Sequence, residues 1–346
     1  MPGDRPIAYV MEQTLGSITH YLNLRREEGQ AGGPKQWLPV EFQHTRLPWA
    51  ISGSLLARKE IAKVGKDVDG IFIHTTTLAL CSPDWLARRP TVLSSDATPA
   101  SKEDMRELYG LKPESRLAAR AKRAVYRAVF RRAAGFVAWS SWAKQSFVDD
   151  YGCREEDVAV IPPGIDVQDF APGDRAHELP RILFVGGDFL RKGGDLLLEV
   201  FDKRLKGRAE LVLVTRDEVA ERPGVTLHKN VGANSEKLRQ LYATSDVFAL
   251  PTRADCYSMV CMEALAAGMP IVTTDIGGLP DIINEGVTGR VVAPDDAGSL
   301  GDALEELVAD PKQRLAMGVA SRADAEQRFE VRTNARRLFE FVRSRC

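Results

Sequence analysis

The chain lacks the features that would tie it to a secreted, membrane-spanning or nucleic-acid-binding protein. Its five cysteines, Cys81, Cys153, Cys256, Cys261 and Cys346, are scattered, odd in number and without a C-x-x-C pair. That usage argues for a reducing compartment and against a disulfide scaffold or a structural zinc. No apolar run approaches the length of a membrane span. The N-terminus shows no charged stretch followed by a long apolar core, so no signal peptide is expected. With 47 Lys+Arg against 48 Asp+Glu the net charge is −1, which argues against a nucleic-acid partner for the whole molecule. Internal repeats and low-complexity tracts are also missing.

What is present is an alternation of short apolar runs and amphipathic stretches over 346 residues, long enough for two domains. Hydrophobic residues at 44% and charged residues at 27% suit a soluble globular protein. The most informative run is 251–281. It opens where the apolar strand 247–250 meets Pro251, and a short helix over 258–267 follows, stopped by Gly268 and Pro270. A second strand, 271–274, leads to Gly277-Gly278-Leu279-Pro280-Asp281, where Pro280 suits the first turn of another helix. Two loops and two helix starts then share one end of a parallel sheet, the end where ligands bind. Asp255 and Glu263 offer two separated hydrogen-bond acceptors to hydroxyl-rich ligand parts. Amides at the helix start favour an anion, and Gly277 and Gly278 permit close backbone approach. Hydroxyls, phosphates and hydroxyls in that order describe a nucleotide sugar.

The run resembles the donor-binding segment of the family 4 retaining glycosyltransferases of the GT-B fold. There an acid, a Gly-aromatic-Gly stretch and a second acid precede a Gly-Gly-x-Pro loop. The resemblance implies that Asp255 touches the transferred sugar and Glu263 the ribose, with the backbone at Cys256, Tyr257, Ser258, Met259 and Val260 near the phosphates. This chain departs in having Asp255 where Glu is usual, and Cys256-Tyr257-Ser258 where Gly-aromatic-Gly is usual.

A strand at 181–185 leads to Gly186-Gly187-Asp188-Phe189-Leu190-Arg191-Lys192-Gly193-Gly194 and a helix over 195–206. Glycines with a cation at a helix start can hold a diphosphate, the charge offsetting what builds up on a leaving group. By resemblance Lys192 takes the place of the family lysine. A glycine stands at the family arginine position, and Arg191 substitutes for it.

The first half is legible mainly by order of elements. Strand 7–11 is followed by a loop bearing Gly16, with Ser17 as N-cap of a helix over 18–26 that carries His20. A strand is expected over 37–42, a helix over 54–64 and a strand over 70–74 with His74 at its functional tip. Asp67 and Asp69 form a D-x-D that precedes the strand and so lies at the wrong end for a metal. Where the family commonly has His-Asp after strand 91–94, this chain has Ser95-Asp96. The stretch 116–132 reads as an amphipathic helix with Arg116, Arg120, Arg123, Arg127 and Arg131 on one face. That face is either solvated or attracted to anionic lipid or an acidic acceptor. Strand 158–161 ends in Pro162-Pro163-Gly164-Ile165-Asp166, where Gly164 admits a ligand and Asp166 shapes the turn.

These readings predict an α/β protein of two Rossmann-like domains facing each other across a cleft, residues 1–172 and 173–330. Residues 331–346 form a helix returning to the first domain, and 171–180 is the linker. The implied function is metal-independent transfer of a hexose from a nucleotide-diphosphate sugar, with retention, to a sugar, lipid or small-molecule hydroxyl. Lys192, Arg191, Asp255 and Asp96 would be catalytic, His74 and Asp96 would lie on the acceptor side, and no cofactor beyond the donor is implied. The rival readings are another GT-B enzyme, an epimerase or a phosphorylase, and a binding protein built on a decayed transferase. The expected location is cytoplasmic, with peripheral contact to an anionic membrane as the alternative; oligomeric state is left open.

Overall fold

The computed structural model describes residues 5–41, 43 and 45–346. Contacts divide it into two compact units. Of the described residues, unit 1 holds those up to 106, 112–164 and 331–346, and unit 2 holds 107–111 and 165–330. The change of unit thus falls between Gly164 and Ile165, and 171–180 lies within unit 2. The short insert 107–111, which packs in unit 2, has no counterpart in the sequence reading.

Unit 1 is a six-stranded parallel sheet in the order β2-β1-β3-β4-β5-β6. Its strands are β1 (Ile7–Gln13), β2 (Lys35–Glu41), β3 (Gly70–His74), β4 (Thr91–Ser95), β5 (Gly135–Ala138) and β6 (Val158–Val160). The predicted strand end at Phe42 lies outside the described residues. Near-continuous apolar runs suit strands covered on both faces. On one face Ala8, Val10, Ile71, Ile73 and Leu93 pack against α2 (Trp49–Val64), α3 (Pro83–Arg88), α4 (Arg116–Phe130) and α5 (Ser141–Asp149). On the other, Ile7, Tyr9, Phe72, Val92 and Val137 meet α1 (Leu15–Arg26) and the last helix, α11 (Val331–Arg345). Helix α11 contributes Ala335, Leu338, Phe339 and Val342 to that core.

Unit 2 repeats the architecture with the order β12-β11-β10-β7-β8-β9, all parallel. These strands are β7 (Arg181–Val185), β8 (Glu210–Val214), β9 (Val225–His228), β10 (Val247–Leu250), β11 (Ile271–Thr274) and β12 (Gly289–Val292). The helices are α6 (Gly194–Val200), α7 (Glu236–Ala243), α8 (Met259–Ala266), α9 (Ala297–Ala309) and α10 (Pro311–Arg328). Strand order reverses between β7 and β10, a topological switch point where two loops diverge and leave a crevice.

Three local expectations are corrected. No helix follows Pro280: residues 277–282 form turns, because the backbone there folds onto the 255–256 loop. The piece 287–292, whose sequence reads as a hairpin-like edge segment, contains instead the parallel edge strand β12 beside β11. Helix α1 begins at Leu15 with Thr14 as N-cap residue, so Gly16 and Ser17 lie inside it; the Thr14 hydroxyl donates to Glu12 Oε1 (2.8 Å) instead of capping.

Candidate functional site

The loops after β7 and β10 are laced together. Arg253 N and Thr252 Oγ1 both donate to the Arg191 carbonyl, at 2.9 and 3.2 Å. Gly193 has φ 74°, and a Cβ there would stand 1.9 Å from the Pro251 carbonyl oxygen, so only glycine permits this approach. Arg253 pins the pair from outside through Asp195 and Asp295, at 2.6 Å each.

This lacing fixes both cations of the β7 loop. Arg191 reaches Asp188 Oδ2 (3.0 Å) and the Ala254 carbonyl (2.7 Å). Lys192 Nζ forms an ion pair with Asp255 Oδ2; the two side chains are only 14% and 10% exposed. Asp255, expected at the transferred sugar, is thus the immediate partner of the ammonium group. Gly187 is exposed at the loop tip, with the Arg216 side chain as its neighbour.

Glycines of the third loop serve the second. Gly277 has φ 59°, and a Cβ there would come within 2.1 Å of the Asp255 carbonyl oxygen; Gly278 N donates to the Cys256 carbonyl (2.9 Å). Ser258 is the N-cap residue of α8, with Met259 and Val260 in its first turn. Cys256, Tyr257 and Ser258 are buried.

Glu263 lies on the core side of α8 and is 5% exposed, with Oε2 lacking a hydrogen-bond partner. Burial pushes its carboxyl up to about 7, opposed by a hydrogen bond from the Tyr242 hydroxyl, which favours the ionised form. The Cys261 thiol, pushed up to about 12 chiefly by burial, also feels Asp255, Lys192 and Glu263. Of these groups only Lys192 and Asp255 are joined by a described ion pair.

In unit 1 the candidates gather at the C-terminal ends of β1, β3 and β4. His74 is 2% exposed, stacks on Trp139 at 5.0 Å between centroids, and lies 3.3 Å from Ser94 Oγ through Nδ1. Burial, aided by Lys102, lowers its imidazole to about 3. His20 packs on both rings and is itself buried with neither nitrogen hydrogen-bonded. Burial and His74 hold it neutral, well below its ordinary value. His74 thus supports the strand ends from within, and the half-buried Asp96, beside Lys102 (3.5 Å), stands nearer the surface. Gly164, expected beside a ligand, is shaped by helix packing, since a Cβ there would lie 2.3 Å from Val331 Cα. Asp166 Oδ1 accepts from Gln168 N (3.0 Å) and shapes the turn. Asp69 accepts from Arg5 N (3.2 Å) and Arg343 (3.4 Å), a structural tie at the opposite end of β3. Among the described residues no group of three or more His, Cys, Asp or Glu could hold a metal ion.

Sequence reasoning missed Tyr109, whose hydroxyl lies 3.6 Å from Cys256 Sγ and whose ring lies 4.8 Å from the Arg191 guanidinium carbon. A tyrosine at the end of a single 3-10 turn carries no periodic signal. It also missed Glu12, which accepts from Trp49 Nε1 (3.0 Å).

A doubly wound sheet with glycine-laced loops and two largely buried cations at its switch point, in a chain that also holds a second parallel α/β unit, defines a protein of two Rossmann-like units. Comparison with known proteins narrows this. Residues 20–169 match the family described as Glycosyltransferase Family 4, and residues 179–310 that described as Glycosyl transferases group 1. The chain belongs to the family 4 glycosyltransferases of the GT-B fold. It is 32% identical to the GDP-mannose-dependent alpha-(1-6)-phosphatidylinositol monomannoside mannosyltransferase of Mycolicibacterium smegmatis, over 54% of this chain and 56% of that protein. To the D-inositol 3-phosphate glycosyltransferase of Nocardia farcinica it is 30% identical, over 52% of this chain and 46% of that protein. The chain spans about half the length of the curated relatives it matches. Anabaena HepE, solved with UDP-glucose, shares the fold with a TM-score of 0.74 at 17% identity, covering 97% of this chain and 98% of that one.

Proposed function

We propose that the chain transfers a hexose from a nucleotide-diphosphate sugar to an acceptor hydroxyl, with retention of anomeric configuration and without a metal. The carrying observation is the pairing of Lys192 with Asp255 beside Arg191 at the unit 2 switch point. A diphosphate placed there meets an ammonium, a guanidinium and the amides at the start of α8, which together offset charge building on the departing nucleotide. Glu263 takes the ribose hydroxyls, a role that suits its unpartnered Oε2. Asp255 must give up Lys192, in whole or part, as phosphate arrives and is then available to a sugar hydroxyl. The named activities of the relatives, one of them GDP-mannose-dependent, support the donor class. On the acceptor side Asp96 orients the hydroxyl, while His74, stacked on Trp139, supports the strand ends. The exposed arginines of α4 favour an acceptor presented at an anionic lipid surface.

The test is a thermal-shift screen of UDP-, GDP- and ADP-sugars followed by turnover assays. One donor class should raise the melting temperature, and NMR of the product should show the donor's anomeric configuration. Lys192→Ala should lower turnover by roughly 10²-fold or more. Absence of binding to every nucleotide sugar would remove the reading. Tight binding without turnover for any acceptor would favour a decayed binding protein, and substitution of inorganic phosphate for the acceptor would favour a phosphorylase.

A further inference from the structure

We propose that Tyr109 is a positioning residue of the donor site, latching Arg191 over the place of the distal donor phosphate through ring contact and a bond to Cys256; this rests on the donor reading above. Segment 107–111 packs within unit 2 although the residues on both sides of it belong to unit 1. From it the Tyr109 ring lies against the Arg191 guanidinium, 4.8 Å from centroid to carbon, and the hydroxyl reaches Cys256 Sγ at 3.6 Å.

Three contacts therefore fix Arg191: Asp188 through Nε, the Ala254 carbonyl through Nη1, and the aromatic face of Tyr109. The described hydrogen bonds leave Nη2 for an oxyanion. A guanidinium already held in place loses less conformational freedom when a phosphate arrives. Burial holds the Tyr109 phenol well above its ordinary value, so the hydroxyl is neutral beside the sulfur, and either atom of that pair can donate. Cys256, in turn, carries the Gly277–Gly278 loop through its carbonyl. Tyr109 thus ties together the loops after β7 and β10, and through Cys256 the loop after β11. It also accounts for a departure from the family pattern. A glycine at 256 would have no side chain to receive the phenol, whereas cysteine supplies one.

The experiment compares binding of UDP, UMP, GDP and GMP by calorimetry to the full chain and to Tyr109→Ala, Tyr109→Phe and Cys256→Gly. Tyr109→Ala is expected to weaken the preferred diphosphate about three- to tenfold, the scale of a partly desolvated cation–π contact, and the matching monophosphate less than about twofold. Tyr109→Phe should restore most of that loss, because the ring remains over Arg191. Cys256→Gly should fall between the two and serves if Tyr109→Ala does not fold. Equal weakening of diphosphate and monophosphate, or no weakening of either, would overturn the proposal while the donor reading stands. Failure of the unaltered chain to bind any of the four nucleotides would overturn both.

Discussion

Glu263 shows how burial and chemistry compete at a single side chain. Its carboxyl is raised from 4.5 to about 7 in the folded protein. Between those values the folded state binds more protons than the unfolded one, so its contribution makes stability fall as pH rises from 4.5 to 7. The full penalty above pH 7 is on the order of 3 kcal/mol. His74, lowered to about 3, acts oppositely: its contribution is complete above pH 6.5 and is lost as pH falls toward 3. The measurement must therefore be a difference. Glu263→Gln against the unaltered chain should gain stability steadily from pH 5 to 7.5 in urea titrations, and lose nucleotide affinity at every pH. A flat difference would show that Glu263 carries no such burden. The sequence made Glu263 legible by its spacing from Asp255, but not its burial, since a helix carboxylate looks the same on either face. The Lys192–Asp255 pair was hidden for the same reason: 63 residues separate partners that only the switch point brings together.

Helix α4 carries the argument at the next scale. Its five arginines read as one face, yet the structure divides them. Arg123 pairs with Asp150 (3.5 Å) and Arg127 donates to the Asp150 carbonyl (2.7 and 3.1 Å), while Arg116, Arg120 and Arg131 stay exposed. Beside them, at helical spacing, runs an exposed apolar stripe of Leu117, Ala121, Ala124, Val125 and Ala128, with Leu117 80% and Val125 53% exposed. An apolar stripe flanked by arginine is the pattern of a helix lying in a membrane interface. The protein should sediment with phosphatidylglycerol-containing vesicles and not with neutral ones. Each basic residue near such a surface contributes about 1 kcal/mol, so Arg116→Glu with Arg120→Glu should weaken binding at least about tenfold. Equal binding to neutral vesicles, or none to anionic ones, would assign the stripe another role. Element types proved more legible than their ends. Thr14 displaced Ser17 as N-cap, and the turn after Pro280 never became a helix, because packing of Gly277 on the Asp255 carbonyl outweighed the local helix signal.

At the scale of the molecule, alternating apolar runs and amphipathic stretches, taken with the resemblance to the GT-B family, announced two doubly wound sheets, since parallel strands need helical crossovers and short loops restrict their order. The unit boundary was less legible. A Pro- and Gly-rich stretch at 171–180 looks like a linker, but Gly173 N bonds the Ala243 carbonyl (3.0 Å) and Arg175 caps the Gly268 carbonyl (2.8 Å), so the stretch is packed. The C-terminal helix α11 gives the sharpest whole-chain prediction. Leu338, Phe339 and Val342 are at most 2% exposed beneath β1, β3 and β4, and Arg343 Nε donates to the Gly32 carbonyl (2.9 Å). Phe339 meets Tyr9 edge-on at 5.6 Å, and Lys35 Nζ lies 4.2 Å from its ring centroid. Phe339→Ala removes that packing and leaves a cavity, a change that costs about 3–5 kcal/mol, a large share of the stability of an ordinary domain. Calorimetry should show the unit 1 transition moved to markedly lower temperature, with Phe339→Leu recovering most of the loss. If Phe339→Ala melts with the unaltered chain, α11 does not hold unit 1 together, and the last residues contribute coverage without stabilising the sheet.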